Sequence, residues 1–383
     1  MTNEQGRLGP GRAGVRYRQI HAQLREQIVS GHYRAGDRLP TEMELTVLYG
    51  VSRTTTAAAM AELARDGLVR RAPRRGTIVL PQAPRMARAR ADARPLVAWI
   101  QPEIDHPFGL DLLRGVERAT RQAGHDVLLY LTGTSLTDEE QAIRQALAAG
   151  AAAIVLYPQD GETYNAEVLR LFLDSHPIVL VDRRLRGLSC AYVQSDNVSG
   201  ARAIVDQLIV AGHRHICAAV FPSTATSTIE DRLNGYRQAL ATAGLPQDLT
   251  LIYQEEEHLH EIQSTGDVLP GVVERFARYL GTRPEITAVF ATNAPLALLT
   301  LRAVERLGLR IPDDFSVVCI DALQSFPFTL PSFTCARQQS FALGLAAVEL
   351  VQEALQGKAP RHVVLPMQIE DFGSVRAPQP RHR

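Results

Sequence analysis

The first part of the chain has apolar residues at helical spacing. Ile20, Leu24 and Ile28 recur every four residues, which predicts an amphipathic helix that starts near Val15 and ends before Gly31. Residues 1–14 are rich in Gly and Arg and have no apolar period, so we expect a disordered tail there.

Capping residues predict two more helices directly after the first. Thr41, with Glu44 three residues later, fits a capping box and starts a short second helix. Gly50 then turns the chain, and Ser52 can cap a third helix that extends to about Asp66. The spacing is that of a helix-turn-helix.

Two short apolar runs, 68–69 and 77–80, follow the third helix. The segment Arg-Ala-Pro-Arg-Arg-Gly lies between them, and this pattern predicts a β-hairpin. Three helices and a hairpin in this order are typical of a winged helix-turn-helix, which presents side chains to the edges of DNA bases. We therefore predict a DNA-binding domain at 15–80, followed by a basic linker at 81–95.

From Leu96 onward, short apolar runs alternate with amphipathic segments. Strands are predicted at 96–100, 127–131, 152–156, 178–181, 216–220, 287–290 and 316–320. Helices are predicted at 108–123, 138–149, 163–174, 198–211, 229–243, 268–280, 295–307 and 341–355. Such repetition requires parallel sheets that helices cover on both faces. We expect an α/β domain of two lobes at 96–375, with a ligand at the carboxyl ends of the strands and a short tail at 376–383.

Charge divides along the same boundary. Residues 1–95 contain 17 Arg and no Lys against 8 Asp and Glu, a net charge of +9, and the remaining 24 basic and 33 acidic residues give the rest of the chain −9. A basic module joined to an acidic body predicts that only the first part binds a polyanion.

Composition and residue spacing also argue against several classes of protein for this chain. No apolar run approaches the ~18 residues of a membrane span, and the N-terminus lacks a signal-peptide core, so we expect a cytoplasmic protein with no membrane partner. The four scattered cysteines have no zinc or redox spacing and suit buried thiols. His258 and His260 lie in an acidic stretch that we interpret as a solvated loop rather than a metal site. We expect no cofactor and no enzymatic activity.

The start of the third helix is the candidate for reading DNA. Met60 and Leu63 would face the helical core, leaving Arg53, Thr54 and Ala57 outward near the positive helix N-terminus. An Arg there can reach guanine O6 and N7 together. A solvated surface helix with isolated charges is the alternative. The arginines of the hairpin would flank the duplex; they are Arg70, Arg71, Arg74 and Arg75.

Polar residues collect after the predicted strands of the second domain. Asp182 with Arg183, Asn293 and Asp321 each follow an apolar run, and Arg232 adds a guanidinium that suits vicinal hydroxyls. Phe108 could stack on a sugar ring. Each polar residue could instead cap the following helix, and Asp196, before Asn197, favours the cap.

Residues 15–80 resemble the winged helix-turn-helix domain of GntR-type bacterial transcription factors. The resemblance rests on Leu39-Pro-Thr-Glu-Met-Glu-Leu45, Gly50-Val-Ser-Arg-Thr-Thr55 and Arg75-Gly-Thr77. It implies DNA contacts by Arg38, Ser52, Arg53, Thr54, Thr55, Arg75, Gly76 and Thr77. The chain departs from the family pattern at Met43 and Ala57, where Arg is frequent, and at Arg74, where the first wing glycine usually stands.

The second domain resembles the ligand-binding domain of the lactose- and galactose-repressor family, itself similar to periplasmic sugar-binding proteins. The match includes Val181-Asp-Arg183, Asp196-Asn-Val-Ser-Gly-Ala201 and Arg232-Leu-Asn-Gly-Tyr-Arg237. It implies ligand contacts by Phe108, Asp182, Arg183, Arg232, Asn293, Asp321 and Gln338. Gly109 and Ala294 depart from the pattern, and both are expected to enlarge the cleft or to remove a polar partner of the ligand. A GntR-type head on such a body resembles the arabinose-repressor subgroup, which implies a pentose or related sugar.

These features predict a ligand-responsive transcriptional regulator, most simply a repressor. A homodimer would hold two heads over a two-fold operator in double-stranded DNA, and a sugar or related polyol in the cleft would control that binding. One alternative is a pyridoxal-phosphate enzyme fused to a DNA-binding head, but the only lysine, Lys358, is poorly placed for a Schiff base. A transported-solute receptor conflicts with the basic head and the absent signal peptide.

Overall fold

The computed structural model describes residues 13–72, 75–81, 94–104, 106–159, 161, 165–221, 226–255, 268–321 and 332–379. The chain divides into two compact units: the first contains the N-terminal part up to Leu96 together with the short segments 124–126 and 170–176, and the second contains the rest of the two-lobed domain. Most of the predicted tail at 1–14, most of the linker, Arg74, His258, His260 and the last four residues lie outside the described residues.

The N-terminal unit contains the winged helix-turn-helix that the sequence predicts. Its elements are α1 (Ala13–Val29), α2 (Glu42–Tyr49), α3 (Arg53–Arg65), β1 (Val69–Ala72) and β2 (Gly76–Val79), with β1 and β2 antiparallel. The predicted capping box is confirmed, since Thr41 caps α2 and Glu44 bonds back to it. Ser52 caps α3 by accepting a hydrogen bond from Thr55 N.

The core of this unit forms from the predicted helical faces. Ile20, Leu24 and Ile28 of α1 pack with Met60 and Leu63 of α3, and all five are buried. Helix packing of this kind supplies most of the stability of such short helices. The core therefore fixes the angle at which the start of α3 stands out from the unit.

The second unit contains two lobes, each built on a six-stranded sheet. The elements of lobe 1 are β3 (Leu96–Gln101), α4 (Pro107–Gln122), β4 (Asp126–Leu131), α5 (Leu136–Ala148), β5 (Ala153–Leu156), α6 (Ala166–Leu173), β6 (Ile178–Val181) and β7 (Ala191–Ser195). Those of lobe 2 are α7 (Asn197–Val210), β8 (Ile216–Val220), α8 (Ser227–Thr242), β9 (Ile252–Gln254), α9 (Pro270–Gly281), β10 (Ala288–Ala291), α10 (Ala294–Arg306), β11 (Ser316–Ile320) and β12 (Thr334–Arg337). The chain then adds α11 (Ser340–Leu355) and β13 (His362–Leu365) to lobe 1, and β14 (Gln368–Glu370) to lobe 2.

Sheet order explains how the two lobes share one cleft. The strands run β13-β7-β6-β5-β3-β4 in lobe 1 and β14-β12-β11-β10-β8-β9 in lobe 2. The pairs at the centre of both sheets are parallel, and β14 is antiparallel to β12. In the described residues the chain passes between lobes after β7, after β12 and after β13. These passages lie on one side of both sheets, so the carboxyl ends of their strands face each other.

Apolar strand centres form the cores of both lobes. Trp99 of β3 and Leu343 of α11 are fully buried in lobe 1, and Phe276 and Phe290 are fully buried in lobe 2. All four cysteines are free and buried, as the sequence predicts. Among the described helices, none has both the length and the apolar character to cross a membrane.

Every predicted strand and helix of the second domain is present within a few residues of its predicted bounds. The sequence prediction missed β7, β9, β12, β13 and β14. These strands are short or carry polar side chains, such as Tyr192 and Gln194 in β7 and Gln368 in β14. Apolar periodicity is therefore weak in them, and pairing with distant strands decides their conformation.

Helices α4 and α11 approach closely at two glycines. A Cβ added at Gly344 would lie 2.4 Å from Leu112 O, and one added at Gly115 would lie 2.2 Å from Phe341 O. Backbone atoms cannot move aside as a flexible side chain can, so this contact requires glycine.

We predict that Gly344→Ala lowers the free energy of unfolding by about 1–3 kcal/mol, because the added methyl group forces the two helices apart. Urea unfolding followed by circular dichroism measures the change. Gly271→Ala in α9 is the control, since no atom lies within 4 Å of its new Cβ, and it should cause no loss. Equal midpoints for Gly344→Ala and the wild type would contradict the close packing described above.

Candidate functional site

The exposed start of α3 is the first candidate site. The Arg53 side chain is 75% exposed, and Ser52 and Thr54 are also exposed. Their hydroxyl groups lie 2.8 Å apart. The unpaired backbone N–H groups and the helix dipole make this end positive, which favours phosphate. The structure thus brings three of the sequence-predicted DNA contacts to one exposed end of a helix.

Thr55 occupies a different position from its neighbours. Its side chain is only 6% exposed, and its Oγ1 lies 2.8 Å from Ser52 Oγ. The hydroxyl group therefore belongs to the cap that starts α3. A direct contact between Thr55 and DNA stays a prediction.

The hairpin brings together the other predicted DNA contacts. Arg38 forms an isolated β-bridge with Ile78, and its Nε would lie 2.9 Å from a Cβ at Gly76. Gly76 has a φ of +77°, so both its backbone conformation and the nearby Arg38 side chain favour glycine at this position. Arg75 is exposed, and Thr77 O accepts a hydrogen bond from Leu39 N. Arg38 thus lies beside the wing rather than apart from it.

The sequence analysis missed the acidic partner of these arginines. Glu42, at the start of α2, forms ion pairs with Arg71 of the wing and with Arg53, whose Nε lies 3.8 Å from Glu42 Oε2. A carboxylate here holds two cationic side chains on the exposed face. The only signal in the sequence was its place in the Leu-Pro-Thr-Glu motif.

The second candidate site is a cavity of about 530 Å³ within the two-lobed unit. All seven ligand contacts predicted from the sequence line it: Phe108, Asp182, Arg183, Arg232, Asn293, Asp321 and Gln338. They come from both lobes and are separated by up to 230 positions along the chain. Ala294, predicted to enlarge the cleft, also lines this cavity.

Two aspartates end central strands of the two sheets in the same unusual conformation. Asp182 follows β6 with a φ of +65°, and Asp321 follows β11 with a φ of +61°. Among residues with a Cβ, Asp and Asn adopt this left-handed region most readily. The turn directs each carboxylate into the cavity.

The two carboxylates differ in their partners. Asp321 accepts two hydrogen bonds from Gln338, one from its backbone N at 2.9 Å and one from Nε2 at 2.7 Å. Asp182 is 4% exposed, and its Oδ1 has no hydrogen-bond partner in the described part of the chain. Burial raises the pKa of Asp182, and the nearby Arg232 and Arg183 oppose that rise.

The two arginines of the cavity are fixed by the protein. Arg232 donates from Nε to Asn197 Oδ1 at 2.7 Å and from Nη1 to Thr292 O at 2.8 Å. Arg183 donates to Pro158 O at 2.7 Å, and its guanidinium lies 4.7 Å from the centre of the Tyr157 ring. Both charges are therefore held in place before any ligand binds.

Two of the predicted polar residues are helix caps. Asp196 accepts from Ser199 N at 3.0 Å and starts α7, as the sequence analysis favoured. Asn293 accepts from Leu296 N at 3.1 Å and starts α10 while also lining the cavity. For Asn293 the cap and a place at the cavity are compatible, because the cap uses the amide oxygen and leaves the NH2 group to donate elsewhere.

The aromatic wall contains Phe108, whose ring lies 6.0 Å from that of Tyr157 in an edge contact. The expectation that Gly109 enlarges the cleft is wrong. Gly109 is buried and is not among the residues that line the cavity, and a Cβ there would lie 2.8 Å from Glu103 O. The glycine is needed because the chain before α4 folds back onto it.

A set of interlobe bonds joins the lobes beside the cavity. Arg184, which follows the cavity residues of lobe 1, donates from its backbone N to Ser227 Oγ at 3.0 Å. Its Nη2 lies 2.8 and 2.7 Å from the two carboxylate oxygens of Asp231 in α8. Arg186 pairs with Glu230 on the same helix. Sequence reasoning missed these residues, since nothing local marks pairs some 45 positions apart.

Residues required for other chemistry lie elsewhere. Lys358 is exposed beyond the end of α11 and does not line the cavity, so the pyridoxal-phosphate alternative lacks its lysine there. Within the residues that the structure describes, no cluster of His, Cys, Asp or Glu could hold a metal ion.

Comparison with known families agrees with the two predicted domains. Residues 16–79 match the family described as bacterial regulatory proteins of the gntR family, and residues 205–373 match the periplasmic binding protein-like domain. The chain is therefore a transcriptional regulator with a DNA-binding head and a ligand-binding body. It joins a GntR-type head to a periplasmic-binding-protein-like domain.

Individual proteins are similar to this chain over most of its length. The arabinose metabolism transcriptional repressor of Geobacillus stearothermophilus is 26% identical over 349 residues, which cover 90% of this chain and 92% of that protein. A complex of the transcriptional regulator CelR with cellobiose is 24% identical, with a TM-score of 0.63 over 88% of this chain and 100% of that one. A LacI family regulator of Enterococcus faecium with bound ribose is 21% identical, with a TM-score of 0.60 over 74% of this chain and 100% of that one.

We predict that Asp231→Asn speeds hydrogen exchange at the Arg184 amide by roughly three- to tenfold, because that amide is protected only while the interlobe bonds hold and a charge-assisted pair is lost. Hydrogen exchange of the full chain, read on peptides that contain Arg184, measures the rate. Glu305→Gln removes an exposed ion pair within α10 alone and should leave the rate unchanged. Reversing the charges, with Arg184→Asp and Asp231→Arg together, should restore protection, and an equal rate in all four proteins would show that the pair does not join the lobes.

Proposed function

We propose that the chain is a homodimeric repressor whose operator binding is controlled by a sugar or related polyol held between its lobes. One observation carries the proposal: a cavity of about 530 Å³ gathers seven polar and aromatic side chains from both lobes, in the same chain as a winged helix-turn-helix. Pockets of this size and lining are typical of small-molecule sites. The protein would act in the cytoplasm, where its operator is.

The DNA-binding side of the proposal rests on exposure and charge. Arg53 and Thr54 stand at the exposed start of α3, and Arg38 and Arg75 stand at the wing. A recognition helix reads the major groove while a basic wing contacts the phosphates beside it. Dimerisation would place two such heads over related half-sites.

We predict that Arg53→Ala weakens operator binding by about 1–3 kcal/mol, because a two-pronged contact with a guanine is lost. Fluorescence anisotropy with fragments of the upstream region measures the affinity at fixed salt. Arg65→Ala at the other end of α3 is the control and removes an equal charge far from the helix start. Equal losses for the two variants would mean that Arg53 contributes charge alone.

The ligand-binding side of the proposal rests on the donors and acceptors in the cavity. Arg232 and Asp321 belong to different elements of lobe 2, and Asp182 and Arg183 reach the same space from lobe 1. A molecule with several hydroxyl groups can bond to both lobes together. The named relatives support a sugar, since one is an arabinose repressor and two bound structures hold cellobiose and ribose.

We predict that Arg232→Ala or Asp321→Ala abolishes the response of DNA binding to sugar while operator affinity without sugar is kept. The reason is that neither side chain belongs to the DNA-binding unit. The measurement is operator binding with and without arabinose, ribose, maltose or cellobiose. A full response in both variants would contradict our assignment of the cavity.

A further inference from the structure

We infer that the effector is an uncharged saccharide of at least two rings, which rests on the proposed function and narrows it. The inference comes from the two unpaired acceptors in the cavity, from the charges that line it and from its volume with the lobes joined. Each of these observations bears on a different property of the ligand.

Two buried oxygen atoms in the cavity can accept hydrogen bonds from a ligand. Asp182 Oδ1 and Gln338 Oε1 have no hydrogen-bond partner among the described residues, and both residues are less than 7% exposed. The Gln338 amide is oriented by Asp321, because a carboxylate accepts only and must face the Nε2 donor. Its oxygen therefore remains an acceptor. A ligand with hydroxyl groups can donate to both, whereas a carboxylate or phosphate group at neutral pH offers further acceptors.

The cationic side chains of the cavity already have partners. Arg232 and Arg183 donate to protein oxygens, and Arg337 makes two hydrogen bonds to Glu370 at 2.7 and 2.6 Å. Among the described residues, the lining contains these three arginines and four carboxylates, namely Glu103, Asp111, Asp182 and Asp321. An anionic ligand would therefore meet no excess of positive charge from these residues. Uncharged ligands avoid repulsion by the carboxylates.

The volume exceeds what a single sugar ring needs. The interlobe bonds from Arg184 and Arg186 to α8 show that 530 Å³ is the size of the cavity with the lobes joined, not of an opened cleft. At the packing density of protein interiors, a hexose fills roughly 200 Å³ and a disaccharide roughly 400 Å³. Half-buried Phe108, Phe221 and Phe341 line the same space and offer apolar faces for more than one ring.

Calorimetric titration of the full-length protein with matched probes tests the inference. The probes are glucose, maltose, cellobiose, gluconate, glucose 6-phosphate and cellobionate. We expect a neutral disaccharide to bind at least roughly tenfold tighter than glucose, which fills only part of the cavity, and than any of the three anions, whose negative charge would lie in a cavity lined by Asp182 and Asp321. Tighter binding of an anion or of glucose would overturn the inference and leave a sugar-controlled regulator standing. If no probe binds, the inference and the sugar part of the proposed function both fail, while operator binding is judged separately.

Two variants link the result to the unpaired acceptor. Asp182→Asn keeps the shape of the side chain and removes the charge, so the preference for the disaccharide over its acid should shrink by at least roughly threefold. Glu117→Gln removes an exposed carboxylate that pairs with Arg121 on α4 and does not line the cavity, and it should leave the preference unchanged. An unchanged preference in Asp182→Asn would remove Asp182 from the selection of charge.

Discussion

The whole ligand-binding unit depends on one constraint, which is that parallel strands end at a common edge. Two sheets obey it here, and the three passages of the chain between them turn those edges toward each other. Asp182 and Asp321 stand at the two edges with positive φ, a conformation that costs about 1 kcal/mol or more for a residue with a Cβ. For Asp321 the two hydrogen bonds from Gln338 offset that cost. The Asp182 carboxylate has a hydrogen bond with Tyr157, and its Oδ1 has no partner among the described residues, so this oxygen is open to a donor from a ligand.

Helix α8 connects the ligand site to the joining of the lobes. Glu230 and Asp231 bond to lobe 1, and the next residue, Arg232, is held at the cavity by Asn197 and Thr292. The Arg184–Asp231 pair is partly buried and engages both carboxylate oxygens, whereas the Arg186–Glu230 pair is more exposed. A ligand that bonds to both lobes would shift their arrangement only by the difference in its affinity for the joined and separated states.

Sequence reasoning reached the elements whose information is local. The caps at Thr41 and Ser52 each depend on contacts within three residues, and the central strands are continuous apolar runs. The cavity-lining residues after those strands followed from the rule for parallel sheets together with the family resemblance. The edge strand β13 and the pair Arg184–Asp231 depend on partners far away in the chain, and no periodicity marks them. The expectation for Gly109 was wrong for the same reason, since Glu103 O approaches this glycine only because of the turn before α4.

The positive charge of the DNA-binding head and its ability to recognise a base sequence are separate properties. Its excess of arginine would attract any duplex, and that attraction carries no sequence information. Glu42 forms ion pairs with both Arg71 and Arg53. It therefore neutralises part of the outward-facing positive charge and holds the two side chains in position before DNA binds. In the proposed complex, phosphates would compete with that carboxylate, whereas a guanine would meet an arginine that is already oriented. In the cavity, protein acceptors likewise hold Arg232 and Arg183, whereas Asp182 Oδ1 has no partner among the described residues.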